Sequence, residues 1–374
     1  MRPETLSLLR CPACHGNLDV ARRHALGRTG RLCAGILACR ACDRRYPVID
    51  WIPRLLPHES LTPAERAELA ASPERDEPQT VSEEQLAPDE LRRLLETRVR
   101  SKLLHPGMPP KLRARAERDV AYRVEHTGEK GKFVRTAEPY LTQRPERILD
   151  LGGGQGGTLT AFRQRYRPTT AMLLDLDPDW VEIARWRDPE TEVIRADATR
   201  APLADGAIDL LVSTATLEHL PDWRGALAEI VRISREGLLS YGPNGRFPYD
   251  FGHLDAPFVT WLRPHAAAHV AHLCHRLRRT GRTLTSIEQE LAVTFYIPRS
   301  AVVRELRRRG VEVVNVFEEF LGHAVAESYH PRAGGLKRTL ARFPWLRTLF
   351  AKGLLIAGAE PNVYLYYRRP RVPR

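Results

Sequence analysis

From Arg147 onward, short apolar runs alternate with stretches of helical periodicity. The runs predict strands at Arg147–Leu151, Ala171–Asp175, Glu192–Arg195, Ala207–Ser213, Gly237–Tyr241, Val311–Val316 and Asn362–Arg368. Helices are expected near Gly157–Tyr166, Pro178–Trp186, Asp222–Ser234 and Ser300–Arg309. Such alternation points to an α/β fold with a parallel sheet covered on both faces. Two stretches break the rhythm, 245–297 and 317–361, and read as insertions that would cap the substrate side. Upstream, residues 1–56 form a turn-rich module ending in the proline-bounded run Tyr46-Pro47-Val48-Ile49-Asp50-Trp51-Ile52-Pro53. Residues 57–120 read as a partly helical linker, and 121–374 as the α/β domain.

Composition adds a direction to this plan. The net charge of +12 favours acidic partners such as RNA, phosphorylated or lipid-linked substrates, or an anionic membrane surface, or it reflects Arg on solvated faces. No apolar leader follows Met1, and no window approaches the roughly 18 apolar residues of a transmembrane segment. The nearest stretch, Phe343 to Ala359, carries Arg347 and Lys352, so it suits a basic amphipathic helix making peripheral membrane contact. Nothing in the sequence sets an oligomeric state. The cysteine pattern suits metal binding in a reducing compartment, so a cytoplasmic location is expected.

Cys11-Pro12-Ala13-Cys14 and Cys39-Arg40-Ala41-Cys42 are two Cys-x-x-Cys pairs, able to surround one tetrahedral Zn²⁺ with thiolates. A module this short has little core, so the metal would supply much of its folding free energy. No ligand position is left open, which makes the expected Zn²⁺ structural. Leu8 to Leu18, Leu37 to Val48 and Ile52-Pro53 resemble a Trm112p-like zinc ribbon over about the first 55 residues. In that family the ribbon stands alone as a methyltransferase activator or is fused to a methyltransferase, and this chain is similar to the fused form.

Ile148-Leu149-Asp150-Leu151 runs into Gly152-Gly153-Gly154-Gln155-Gly156-Gly157, a strand, a glycine turn and a helix start. Gly152, Gly154 and Gly157 also satisfy the dinucleotide pattern, with Asp175 near the spacing of a ribose carboxylate. Asp150 separates the two: a carboxylate at the strand tip opposes a pyrophosphate but suits the positively charged amino end of S-adenosyl-L-methionine. Over residues 120–316 the chain resembles the class I methyltransferases of the UbiE-like type, methyltransferase type 11. The resemblance implies a Rossmann-like seven-stranded sheet with the small zinc ribbon in front and a helical cap insertion. It further implies that Asp150, Gly152, Gly154 and Gly156 form the donor turn, that Asp175 holds the ribose with Leu176 also at the cofactor, and that Asp197 and Ala198 read adenine. Ser213 would stand at the end of the fourth strand, with Ser213 to Leu220 forming the loop beside the methyl group.

Methyl transfer needs alignment and exclusion of water more than elaborate acid–base groups. His219 is the candidate general base, or else a loop-orienting hydrogen-bond partner. Tyr249 and His253 are candidates for the acceptor pocket. His265, His269, His272 and His275 have nearly helical spacing but no nearby carboxylate, so they are set aside as a metal site. The expected reaction is methylation of an O or C atom on a small-molecule, natural-product or glycan-like acceptor. An RNA base is the alternative, favoured by charge and ribbon, although Ser213-Thr214-Ala215-Thr216 replaces the motif expected for an exocyclic amine. A third alternative is non-enzymatic, a cofactor-binding scaffold or an activator of another methyltransferase.

Overall fold

The apolar run Ile148 to Leu151 is buried throughout, as a strand covered on both faces requires. The computed structural model describes residues 1–70, 78–82, 87–104, 108, 110–125, 130–326, 340 and 342–370. It divides into two units, one of Met1–Arg98, Arg144–Val212 and Gly225–Arg235, the other of Val99–Gln143, Ser213–Arg224 and Glu236–Arg374.

In the first unit, nine strands lie side by side in one sheet. They are β1 (Leu18–Gly27), β2 (Leu32–Cys39), β3 (Arg45–Ile49), β4 (Ile52–Leu55), β5 (Gln79–Val81), β6 (Arg147–Leu151), β7 (Thr170–Asp175), β8 (Glu192–Ala196) and β9 (Ile208–Thr214). Parallel pairing joins β9 to β6, β6 to β7 and β7 to β8. Helices Gly157–Tyr166 and Pro178–Arg187 connect them. The second helix starts where the sequence dictates: Asp177 accepts hydrogen bonds from the Asp179 and Trp180 amides, and Pro178 takes the first position.

The N-terminal ribbon extends this sheet. β4 pairs parallel with β8, Arg54 opposite Arg195, and β3, β2 and β1 follow antiparallel. Glu65 locks the junction. It is 5% exposed, and its carboxylate bonds Arg195 and lies 3.3 Å from the Arg54 Nε. Thr62 and Glu65 form a capping box at helix Pro63–Ala70, the Thr62 amide donating to Glu65 at 2.8 Å and the Glu65 amide to the Thr62 hydroxyl at 3.2 Å. A second anchor is Arg31, which bonds Glu192 at 3.1 Å and the Pro189 carbonyl at 3.2 Å. Helices Pro88–Leu103 and Pro110–Glu125 follow in the segment expected to be a partly helical linker.

The second unit holds β10 (Ser234–Tyr241), β11 (Tyr249–Asp250), β12 (Ala256–Pro257), β13 (Glu312–Asn315) and β14 (Val363–Arg368). The seven expected core strands are therefore present, β6 to β10 with β13 and β14. One expectation is corrected: β14 runs antiparallel to both β10 and β13, so the sheet is not wholly parallel. The chain reaches β14 through the 317–361 insertion, whose described residues include helices Phe317–Ala326 and Pro344–Ala357, and antiparallel neighbours need no βαβ crossover. The 245–297 insertion folds around its own core of Leu254, Ala256, Val259, Ala267, Ala268, Ala271 and Ile287. The helix predicted near Phe343 to Ala359 spans Pro344–Ala357 and leaves Trp345, Leu349 and Ile356 exposed. Among the described residues no helix is long and apolar enough to cross a membrane.

Candidate functional site

At the ribbon, both Cys-x-x-Cys turns close in the same way. The His15 amide donates to the Cys11 carbonyl at 2.8 Å and the Asp43 amide to that of Cys39 at 3.0 Å, with positive φ at His15 and Asp43. The sulfurs of Cys11 and Cys42 lie 3.7 Å apart, and those of Cys14 lie 3.4 Å from Cys39 and from Cys42. A tetrahedron with Zn–S bonds of about 2.3 Å has edges of about 3.8 Å, so the four thiols fit a Zn²⁺. Tyr46 stands behind them, its hydroxyl 3.1 Å from the Cys11 sulfur, the kind of outer contact that orients a ligand.

In the first unit, the parallel register brings the carboxyl ends of β6, β7 and β8 to one edge, the place where open α/β sheets bind ligands. The turn after β6 has positive φ at Gly152, Gly154 and Gly156, at 70°, 53° and 83°. Gly154 donates its amide to Asp175 at 2.8 Å, which pins the turn to the tip of β7. Gly153, which motif spacing did not single out, is tightly packed: a Cβ there would lie 2.8 Å from the Asp150 Cγ and from Leu173 side-chain atoms.

Asp175 also accepts from the Asp177 amide at 2.9 Å. Burial pushes its carboxyl above the ordinary range, against the pull of these amides. Asp197 bonds the Thr199 amide and hydroxyl, each at 2.8 Å, and starts the short turn at Ala198. Leu176 is 52% exposed beside Asp175, available as an apolar wall. Asp150 lies deeper, fully buried, and accepts the Leu159 amide at 3.2 Å, so it anchors the helix after the turn. An adenosyl group fits this edge: bare backbone at the turn, two carboxylates at neighbouring strand ends and an exposed apolar side chain.

In the second unit, Ser213 is buried with no hydrogen-bond partner for its Oγ among the described residues. The Tyr249 hydroxyl is committed to the cap, donating to Asp255 at 3.0 Å and accepting from Arg278 at 3.1 Å. The rings of His219 and His253 meet edge to face at 5.2 Å. His219 Nδ1 lies 2.8 Å from the Val293 carbonyl. His253 lies 3.7 Å from Asp250, whose carboxylate takes the His253 and Leu254 amides and the Tyr296 hydroxyl. Burial disfavours a charged His253, but Asp250 outweighs it and raises the imidazole pKa. The structure adds Glu218 to this group, a residue the sequence marked only by its place beside His219. It is 2% exposed, and burial raises its carboxyl pKa.

Residues 149–240 match the family model described as a methyltransferase domain, and residues 2–50 match that of Trm112p-like proteins. Residues 149–240 are thus similar to a methyltransferase domain and residues 2–50 to a Trm112p-like ribbon. The domain has relatives of varied substrate. A malonyl-[acyl-carrier protein] O-methyltransferase of Geobacter sulfurreducens is 30% identical over 53% of this chain and 66% of its own length. A chloroplastic 2-methyl-6-phytyl-1,4-hydroquinone methyltransferase of Oryza sativa is 31% identical over 26% of this chain and 28% of its own. The chain thus spans less than two thirds of the length of either relative. Among solved structures, a complex of the Haloferax volcanii Trm112 methyltransferase activator with a putative methyltransferase matches at 14% identity and TM-score 0.38, covering 71% of this chain and 98% of that one.

Proposed function

We propose that this protein takes a methyl group from S-adenosyl-L-methionine and transfers it to an O or C atom of a small-molecule, natural-product or glycan-like acceptor. The observation that carries this is the edge of β6, β7 and β8, where the glycine turn, Asp175 and Asp197 stand together. In this scheme Gly152, Gly154 and Gly156 admit the donor closely, Asp175 and Leu176 receive its ribose, and Asp197 and Ala198 its adenine. Asp150 holds the turn and helix in register. Bound there, the donor supplies an electrophilic methyl on a sulfonium, and the chain's work is to orient the partners and exclude water. The relatives named for O-methylation of malonyl-acyl-carrier protein and for methylation of a hydroquinone support an acceptor of this small-molecule kind. His219 and His253 remain the candidates beside the acceptor, whereas the Tyr249 hydroxyl is engaged by Asp255 and Arg278. Cys11, Cys14, Cys39 and Cys42 would hold a structural Zn²⁺.

The test is incubation with methyl-labelled S-adenosyl-L-methionine and a cell extract separated into RNA, protein, and lipid or small-molecule fractions, with Asp175→Asn as control. Label in the lipid or small-molecule fraction, absent from the control, is expected. Label in RNA replaces the acceptor class. No donor binding at all overturns the proposal and leaves the activator role.

A further inference from the structure

Three side chains of the second unit converge, each with at least one ligating atom that makes no hydrogen bond among the described residues. Glu218 is buried, one carboxylate oxygen taking the Gly242 amide at 3.1 Å, while Oε2 has no hydrogen-bond partner among the described residues. A buried carboxylate oxygen without a donor is costly, and a cation beside it removes that cost. At His219, the 2.8 Å contact from Nδ1 is to the Val293 carbonyl. A carbonyl can only accept, so Nδ1 carries the hydrogen and the neutral ring keeps its lone pair on Nε2. The His253 Nδ1 has no hydrogen-bond partner among the described residues, lying 3.7 Å from Asp250, beyond hydrogen-bond length. One ligating atom from each of Glu218, His219 and His253 falls within 4.8 Å of the others.

His275 in the same unit shows what a purely structural histidine looks like. Its Nδ1 pairs with the Thr280 hydroxyl at 2.9 Å and its Nε2 with the Leu254 carbonyl at 2.8 Å, leaving nothing to offer. We propose that Glu218, His219 and His253 bind a first-row divalent cation through one carboxylate oxygen and two imidazole nitrogens. Two imidazoles and a carboxylate suit Zn²⁺ or Fe²⁺ better than Mg²⁺ or Ca²⁺, which prefer oxygen. Bonds of about 2.1 Å bring ligands to about 3–3.5 Å from one another, so side-chain rotation would draw together the trio, whose atoms lie within 4.8 Å. Val293 and Asp250 then serve as outer partners of the two histidines, the carbonyl and carboxylate that ligating imidazoles commonly contact. His219 is exposed, so remaining positions open to water or to an oxygen donor of a ligand. The assignment is independent of the methyl-transfer proposal.

Co²⁺ is the probe. Full-length protein is first loaded with one equivalent of Zn²⁺ at the cysteines, then titrated with Co²⁺ and followed by absorption and metal analysis. The expected result is one further equivalent, with ligand-field bands and no thiolate charge-transfer band. His219→Gln, His253→Gln and Glu218→Gln each lose that equivalent while keeping the zinc. His219 is exposed, so its variant keeps the melting temperature even where the buried Glu218→Gln does not. No second equivalent in wild type overturns the site, and so does a second equivalent retained by His219→Gln and His253→Gln.

Discussion

At Gly153 the absence of a side chain is a packing requirement. A methyl group there would press on the Asp150 carboxylate and Leu173, both buried at the root of the turn. Gly153→Ala must displace one of them, and because the Gly154 amide is tied to Asp175 the shift reaches the donor edge. Overpacking of this kind costs about 1–3 kcal/mol. The expected outcome is a folded protein with a lowered melting temperature whose affinity for S-adenosyl-L-homocysteine, measured by calorimetry, falls at least about tenfold, about 1.4 kcal/mol. Unchanged affinity would place the donor away from this turn. Gly152 and Gly154 were legible from spacing and Gly156 from the family resemblance, and all three stand at positive φ, where glycine is favoured. Gly153 and Glu218 were not legible, because their constraints come from Leu173 and from Gly242, neighbours in space but distant in sequence.

At the scale of elements, the strand boundaries followed closely from the apolar runs, and the Asp177-Pro178 helix start followed from capping chemistry. What the runs did not contain was pairing. Ile52–Leu55 is a short strand in sequence, and only the fold sets it parallel beside β8. Glu65 holds that joint between two buried arginines. Glu65→Ala leaves Arg54 and Arg195 buried without their carboxylate, and breaking such a group costs about 3–5 kcal/mol. Chemical denaturation should show a loss of that size, whereas Glu68→Ala on the exposed face of the same helix changes stability by less than about 0.5 kcal/mol. Equal effects for the two would mean that the junction contributes no specific stability.

For the molecule as a whole, the ribbon and the donor edge belong to one unit, because β1 to β4 continue the sheet of β6 to β9. Metal loss at the cysteines should therefore reach beyond the ribbon. A strong chelator, or Cys39→Ser, is expected to lower the melting temperature of this unit and weaken S-adenosyl-L-homocysteine binding with it. A ribbon that unfolded alone, leaving donor affinity intact, would contradict this continuity. Local chemistry determined much by itself: two Cys-x-x-Cys pairs, a glycine turn after an apolar strand, acids at strand ends and caps at helix starts all act over a few residues. The tertiary structure alone decided that the ribbon is an extension of the sheet, that β14 runs antiparallel, and that Glu218 meets His219 and His253. These depend on contacts between residues far apart in the chain, whose free energy comes from burial and register that no local pattern encodes.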